Sequence, residues 1–336
     1  MKQLKNVVLT MVATLAFLIV AGPAMAADDK VTFQFDWLYG GKHVAFFVAR
    51  DKGYFKKHGL DVKFIEGKGS LKAAMFVDTG QADYSYGDFV TAIRVMAKGG
   101  KNRAIGVGQV FNGGAFIFME SSGIKTPKDL EGKRFGTSAA SFGNVLLPAM
   151  ANAGGFDEAK IVKRMMKPAV RTPALLEGKI DFMGGIRGSS VPKMAVIAKK
   201  NNRKVGYLYF KDMGLETYGH VVQTNEDRIK NNPEQVQRMV KAIFQAWGWA
   251  NEHPKEAFEI FMKANPHKDR EIAWAQTEQG LADSMDAATK KHGLGYMQPS
   301  IVEKSVGLTN KYFKLPAPVD WKKTYTDKFI KGTPMM

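Results

Sequence analysis

Two hydrophobic rhythms take turns along this chain. Val31, Phe33 and Phe35 alternate with Thr32 and Gln34, which predicts a half-buried strand ending at Asp36-Trp37. Val44, Ala45, Phe47 and Val48 then share one helical face. The series continues with a strand at 61–65, a helix at 71–77, a strand at 83–86, a helix at 89–97 and strands at 104–111 and 115–119. Thr126-Pro127, a capping residue before a proline at the first helical position, opens a second series. It predicts strands at 133–137, 161–166, 180–183, 205–210 and 219–223, with helices at 142–153, 172–177 and 191–200 between them. From Asn232 the period is helical throughout. Val236, Met239, Val240, Ile243, Phe244 and Trp247 recur at spacings of three and four, and further helices are expected from Pro254, over 272–285 and over 299–312. The expectation is an α/β fold of two lobes with a helical tail packed on the first.

The first 26 residues break this pattern. Lys2 and Lys5 precede an apolar run from Val7 to Val20, and Ala24-Met25-Ala26 forms a small-x-small cleavage site. This is the composition of a secretory signal peptide cleaved after Ala26, and its run is short for a membrane span. A periplasmic mature chain is expected.

Composition then removes whole classes of chemistry. The chain has 336 residues, enough for about two domains. It contains no cysteine, which excludes disulfides, thiolate metal sites and cysteine nucleophiles. The formal net charge is +17, but the lysines are dispersed, as in Lys56-Lys57, Lys199-Lys200, Lys290-Lys291 and Lys322-Lys323. Nucleic-acid binding calls for a clustered stripe and is not expected. Dispersed positive charge reads as a solvated basic surface, with attraction of an anionic ligand as a weaker use.

Motifs for catalysis are missing. No phosphate-binding Gly-x-x-x-x-Gly-Lys-Ser/Thr loop occurs, and Gly106-Val107-Gly108 lacks the third glycine of a dinucleotide site. Gly136-Thr137-Ser138-Ala139-Ala140 departs from a nucleophile elbow at its last position. The histidines show no metal-ligand spacing, so neither a metal nor a cofactor is expected.

Candidate ligand contacts lie where strands end, because open α/β sheets bind ligands at the carboxyl ends of their strands. Asp36 and Trp37 end the first strand, and His43 follows in the next helix. Tryptophan stacks on flat ligands and aspartate accepts from ring N–H groups. Ser85, Tyr86 and Asp88 end another strand. Asn112 falls between two predicted strands. Ser138, Ser141 and Phe142 end a third strand and open a helix, where N–H groups favour anions. Arg187, within Gly184-Gly185-Ile186-Arg187-Gly188-Ser189-Ser190, offers a fork for a carboxylate or sulfonate, or equally a bridge between lobes. Glu216, Tyr218 and His220 stand near a second crossing between lobes.

These junctions carry a family resemblance. Phe35-Asp36-Trp37, His43 and Val48-Ala49-x-x-Lys52-Gly53-Tyr54-Phe55-x-x-x-Gly59-Leu60-Asp61-Val62 resemble the opening of substrate-binding proteins of ABC importers. The subfamily is the one related to thiamine-pyrimidine synthases and to nitrate, sulfonate and taurine binders. Gly80-Gln81-Ala82-Asp83, Thr126-Pro127-Lys128-Asp129-Leu130, Ala174-Leu175-Leu176-x-Gly178-Lys179-Ile180-Asp181 and His253-Pro254-x-x-Ala257 continue it over nearly the whole mature chain.

The resemblance implies a two-lobed periplasmic-binding-protein fold, with crossings near 116–122 and 212–222. One lobe would comprise 27–118 plus 220–336 and the other 119–219. A monomer would hold a small molecule between the lobes and deliver it to a membrane permease with its ATPase. The ligand implied by Asp36-Trp37 is a planar pyrimidine precursor. The run after Gly184-Gly185 has an arginine and no acid or aromatic residue, which points instead to an organic anion: an aromatic carboxylate, a sulfonate or a taurine-like compound. Fungal thiamine-pyrimidine synthases, which resemble this chain, consume pyridoxal phosphate and carry a cysteine-rich iron motif. The absence of cysteine and the export signal argue against that enzymatic alternative. A third class is an exported sensory or chaperone-like binding protein with no transporter.

Overall fold

The structure is a computed structural model and describes residues 28–330. The expected signal peptide lies outside the described residues.

Two sheets of five strands organise the chain. In the first, β1 (Asp29–Phe35), β2 (Leu60–Ile65) and β3 (Tyr84–Asp88) run parallel. The expected alternation is observed, and Val31, Phe33 and Phe35 are buried. Around these strands lie α1 (Val44–Asp51), α2 (Tyr54–Lys57), α3 (Ser70–Asp78) and α4 (Phe89–Met96). β4 (Asn102–Val107) closes the edge, giving the order β2-β1-β3-β10-β4. The antiparallel β10 (His220–Asn225) arrives from far along the chain.

The second sheet has the same plan. β5 (Gly114–Met119), β6 (Arg134–Thr137), β7 (Val162–Met165), β8 (Phe182–Ile186) and β9 (Val205–Tyr209) take the order β7-β6-β8-β5-β9, with β5 antiparallel to both neighbours. Its helices are α5 (Phe142–Gly154), α6 (Pro168–Leu176) and α7 (Ser190–Lys200). Thr126-Pro127 starts only a 3-10 turn, Pro127–Leu130.

The sheet membership of β5 corrects one expectation. The first crossing falls between β4 and β5, at 108–113, instead of near 116–122. The second spans 210–219. The two run side by side: Asn112 N–H donates to Thr217 O at 2.7 Å and Gly219 N–H to Gln109 O at 3.0 Å. This two-stranded connection has the form of a hinge.

The helical tail comprises α8 (Glu226–Asn231), α9 (Pro233–Glu252), α10 (Pro254–Ala264), α11 (Arg270–Ala282), α12 (Ala287–His292) and α13 (Pro299–Tyr312). Phe244, Trp247 and Phe261 join Phe33, Phe35, Phe46 and Phe47 in the core of the first lobe. The tail does not stay there. Phe313, just beyond α13, is buried in the second lobe's core, and Asn152 of α5 donates to Tyr312 O at 3.0 Å. The pattern of α13 shows an apolar stripe but not which lobe its end reaches. Among the described residues no helix is long and apolar enough to cross a membrane.

Candidate functional site

The end of β1 delivers a carboxylate to the floor of the cleft between the lobes. Asp36 is 2% exposed. Its Oδ2 accepts from Lys42 Nζ at 2.7 Å and lies 2.9 Å from His220 Nε2, while Oδ1 lies 3.1 Å from His43 Nε2. Burial alone would raise this carboxyl's pKa; the Lys42 ammonium and the His220 and His43 imidazoles outweigh it and hold the group well below the usual carboxylate range. Burial, assisted by Lys42, pushes the His43 pKa down to about 4 and that of His220 in the same direction. The His43 ring is therefore neutral at pH 7. Gly40 N–H donates to His43 Nδ1 at 3.3 Å, so Nε2 carries the proton given to Asp36. The network balances its own charge, and both carboxylate oxygens of Asp36 are engaged by side chains of the chain.

The second lobe presents a different surface. The loop after β6 leads into α5, and the loop after β8 leads into α7. Neither helix start receives a side-chain cap from Ser141 or Ser189. The Ser141 hydroxyl is turned to Thr137 Oγ1 at 2.9 Å and to Ser138 O at 2.8 Å. First-turn N–H groups of both helices are thus left for another acceptor. Gly184 makes this approach feasible: a Cβ there would sit 2.7 Å from Gly143 Cα, so only glycine lets α5 lie this close to β8.

Arg171 projects from the first turn of α6. It is 6% exposed, and its guanidinium lies 4.8 Å from the centre of the Trp37 ring across the cleft. It has no hydrogen-bond or ion-pair partner among the described residues. Burial pushes its pKa down to about 10, which leaves it charged at pH 7. A buried charge without a counter-ion is unusual, because its lost hydration is uncompensated.

A cavity of about 260 Å³ opens between Trp37, Arg171, Ser189 and Gln276. A smaller inner recess of about 30 Å³ reaches Asp36, Lys42, Ser70 and the start of α5. The larger volume lies just below the usual range of small-molecule sites, about 300 to 1,000 Å³. The Ser70 hydroxyl at the recess has no hydrogen-bond partner among the described residues. The lobes meet around it: Gln276 Nε2 donates to Ser189 O at 2.9 Å, and Lys200 pairs with Asp269 and Glu271 at 3.2 and 2.9 Å. Gly69 of the first lobe, at φ +141°, touches the Ala140 carbonyl of the second. The lobes are closed on each other here.

Of the residues singled out in the sequence, the structure brings Asp36, Trp37, Ser141 and Phe142 to this cleft. His43 and Tyr86 stand behind it, Tyr86 with its ring 5.2 Å from that of His220. Among the described residues the Ser85 and Ser138 hydroxyls have no hydrogen-bond partner. Asp88 caps α4, accepting from Thr91 N and Oγ1 at 2.7 and 2.6 Å.

The remaining candidates lie elsewhere. Asn112 is a hinge residue, donating to Thr217 Oγ1 at 3.1 Å. Glu216 is exposed and paired with Lys304. Tyr218 is buried, its hydroxyl accepting from Gln298 N–H at 2.8 Å. Arg187 lines neither part of the cavity; its Nε lies 3.5 Å from Asp283 Oδ1, which makes it the bridge between lobes, not the ligand fork. The sequence reading missed Arg171, Lys42 and Ser70. Only Arg171 had a local signal, since Pro168 at the first helical position moves the helix start ahead of it.

Two mixed sheets joined by two adjacent crossings and closed on a cleft define the periplasmic-binding-protein fold. The alkanesulfonate-binding protein SsuA of Xanthomonas axonopodis, bound to MOPS, superposes with a TM-score of 0.68 at 14% identity, over 90% of this chain and 99% of its own. The family is shown by sequence: the NMT1/THI5-like model matches residues 41–257, and the chain belongs to that family. A Haemophilus influenzae protein named for thiamine biosynthesis is 23% identical over 295 residues, covering 84% of this chain and 91% of its own. A 4-amino-5-hydroxymethyl-2-methylpyrimidine phosphate synthase of Saccharomyces cerevisiae is also 23% identical, over 87% of this chain and 90% of its own.

Proposed function

We propose that the protein is the solute-binding component of an ABC import system and that its cleft captures a small organic anion. The observation that carries this reading is Arg171: a buried, unpartnered guanidinium facing the cavity together with two uncapped helix starts. An anion would meet a charge-assisted fork and first-turn N–H groups at once. Trp37 would cover a flat part of the ligand. Closure about the paired crossings would bury it, and the closed form would be the one a permease recognises. The alkanesulfonate binder of the same fold agrees with this ligand class.

A second reading is a neutral pyrimidine precursor, favoured by the Trp37 face and by the names of the relatives. The saturation of Asp36 by Lys42, His43 and His220 weighs against it, because no free carboxylate oxygen would remain for a ring amino group. Binding without catalysis fits the absence of cysteine, since the resemblance attaches a cysteine-rich iron motif to the fungal enzymes.

The test uses the chain from residue 27, tryptophan fluorescence and small-angle scattering. Carboxylates, sulfonates and taurine form one set, and aminopyrimidines and thiamine the other. Quenching and compaction with the first set supports the proposal. The same response with the second set alone replaces it by the pyrimidine reading. No response to either set counts against solute capture by this cleft.

A further inference from the structure

The inner recess accounts for one negative charge, yet the positive charge does not stop there. Lys193 projects from α7 and Lys268 precedes α11, and both line the outer part of the 260 Å³ cavity with Arg171 between them and the recess. Neither ammonium has an ion-pair partner among the described residues. Lys193 is half-buried, and its pKa is pushed down by burial first and then by the charges of Lys268 and Arg171. Three cations therefore share one small volume and repel one another.

The acids nearby do not relieve this. Asp36 is committed to Lys42. Asp269 also lines the cavity, but its Oδ2 accepts from Lys200 and its Oδ1 caps α11 by accepting from Ile272 N–H at 3.0 Å. His267, also on the outer rim, is neutral or positive at any pH and supplies no negative charge. A ligand with one negative group, seated on Arg171 and the helix starts, would leave two ammonium groups facing each other.

We infer that the ligand carries two separated anionic groups, one held by Arg171 and the starts of α5 and α7, the other by Lys193 and Lys268, with its body against Trp37. The class is a small dicarboxylate or carboxylate–sulfonate. This rests on the reading of the cleft as an anion-capture site and sharpens it. One molecule with two charges satisfies both ends while losing its translational freedom once, which two separate monoanions cannot do. The cavity's modest volume sets a short spacer between the charges.

The test pairs each diacid with its own monomethyl ester, so that one charge is removed and the shape is kept. The series runs from malonate to pimelate and includes phthalate, isophthalate, terephthalate and 4-sulfobenzoate. Calorimetry on the chain from residue 27 reads affinities for the wild type, Lys193→Gln, Lys268→Gln and the double variant, with melting curves as the folding control. At least one diacid should bind roughly 10- to 100-fold more tightly than its ester, the usual worth of a charge-assisted contact. The double variant should remove that advantage, lowering the diacid's affinity at least about tenfold more than the ester's.

Equal affinity of diacid and ester overturns the inference, and so does a diacid preference that survives in the double variant. Binding of monoanions such as benzoate or benzenesulfonate, without diacid preference, overturns only the second charge and keeps the anion reading. Response to neutral aminopyrimidines alone sinks both.

Discussion

Replacing Arg171 by methionine should do two opposite things at once. Methionine keeps the unbranched apolar stem of the side chain, is shorter, and removes the charge. In the ligand-free protein the guanidinium is a liability: burial lowers its pKa to about 10, a drop worth on the order of 3 kcal/mol of destabilisation at neutral pH. The sign follows from linkage. A base whose folded pKa is depressed binds its proton less readily when folded, so the penalty is fully present below about pH 10 and fades as pH rises further. Against this stands the loss of the contact with the Trp37 ring, worth about 0.5–2 kcal/mol. The balance favours Arg171→Met by about 1–2.5 kcal/mol, or a rise of a few degrees in Tm for a chain of this size. Affinity for an anion should fall in the same variant by 100-fold or more, because a charge-assisted fork contributes about 1.5–3 kcal/mol and a bidentate one more. Differential scanning calorimetry without ligand and titration with ligand give the two numbers. A variant that melts lower than the wild type and binds as tightly would refute the reasoning at both ends, since Arg171 would then be a structural residue with a partner of its own.

Three other substitutions probe the frame around the site. Asp36→Asn removes the negative charge that, among the described residues, alone pairs with buried Lys42, and should destabilise the fold by about 3–5 kcal/mol in urea denaturation; a loss below about 1 kcal/mol would mean that Lys42 escapes to water. Gly69→Ala places a methyl group against the Ala140 carbonyl of the opposite lobe, at a φ of +141° that alanine rarely adopts, so the ligand-free scattering radius should grow and affinity should drop about tenfold or more. An unchanged radius and affinity would show that closure does not depend on this contact. Asp88, pushed up to about 7 by burial, is a carboxylate whose ionisation opposes folding as pH rises. Asp88→Asn keeps the cap on α4, and its Tm advantage over wild type should therefore widen between pH 5.5 and 8.5; a constant difference would contradict the burial argument.

What was legible in the sequence, and what was not, divides along local and non-local physics. β1, α5, α7 and α13 are bounded closely by their own periodicity, because each buries one face and the spacing of apolar residues records it. The sheet that β5 joins is not recorded there. Gly114–Met119 is buried along its whole length, and only pairing with β8 and β9, residues 182–186 and 205–209, assigns it to the second lobe and draws the hinge back to 108–113. The same division runs through the site. The rule that ligands gather at strand ends singled out Asp36, Trp37, Ser141 and Phe142, which line the inner recess, without knowledge of any contact. It also singled out Arg187, whose role was decided by Asp283, nearly a hundred residues later. The converse holds for Arg171. Pro168 marks where its helix begins, but what distinguishes it is the lack of a hydrogen-bond or ion-pair partner among the described residues once the lobes have closed, a property of the whole fold that no local pattern can carry. A specificity residue in a two-lobed binder is therefore best sought as a charge that folding leaves unanswered.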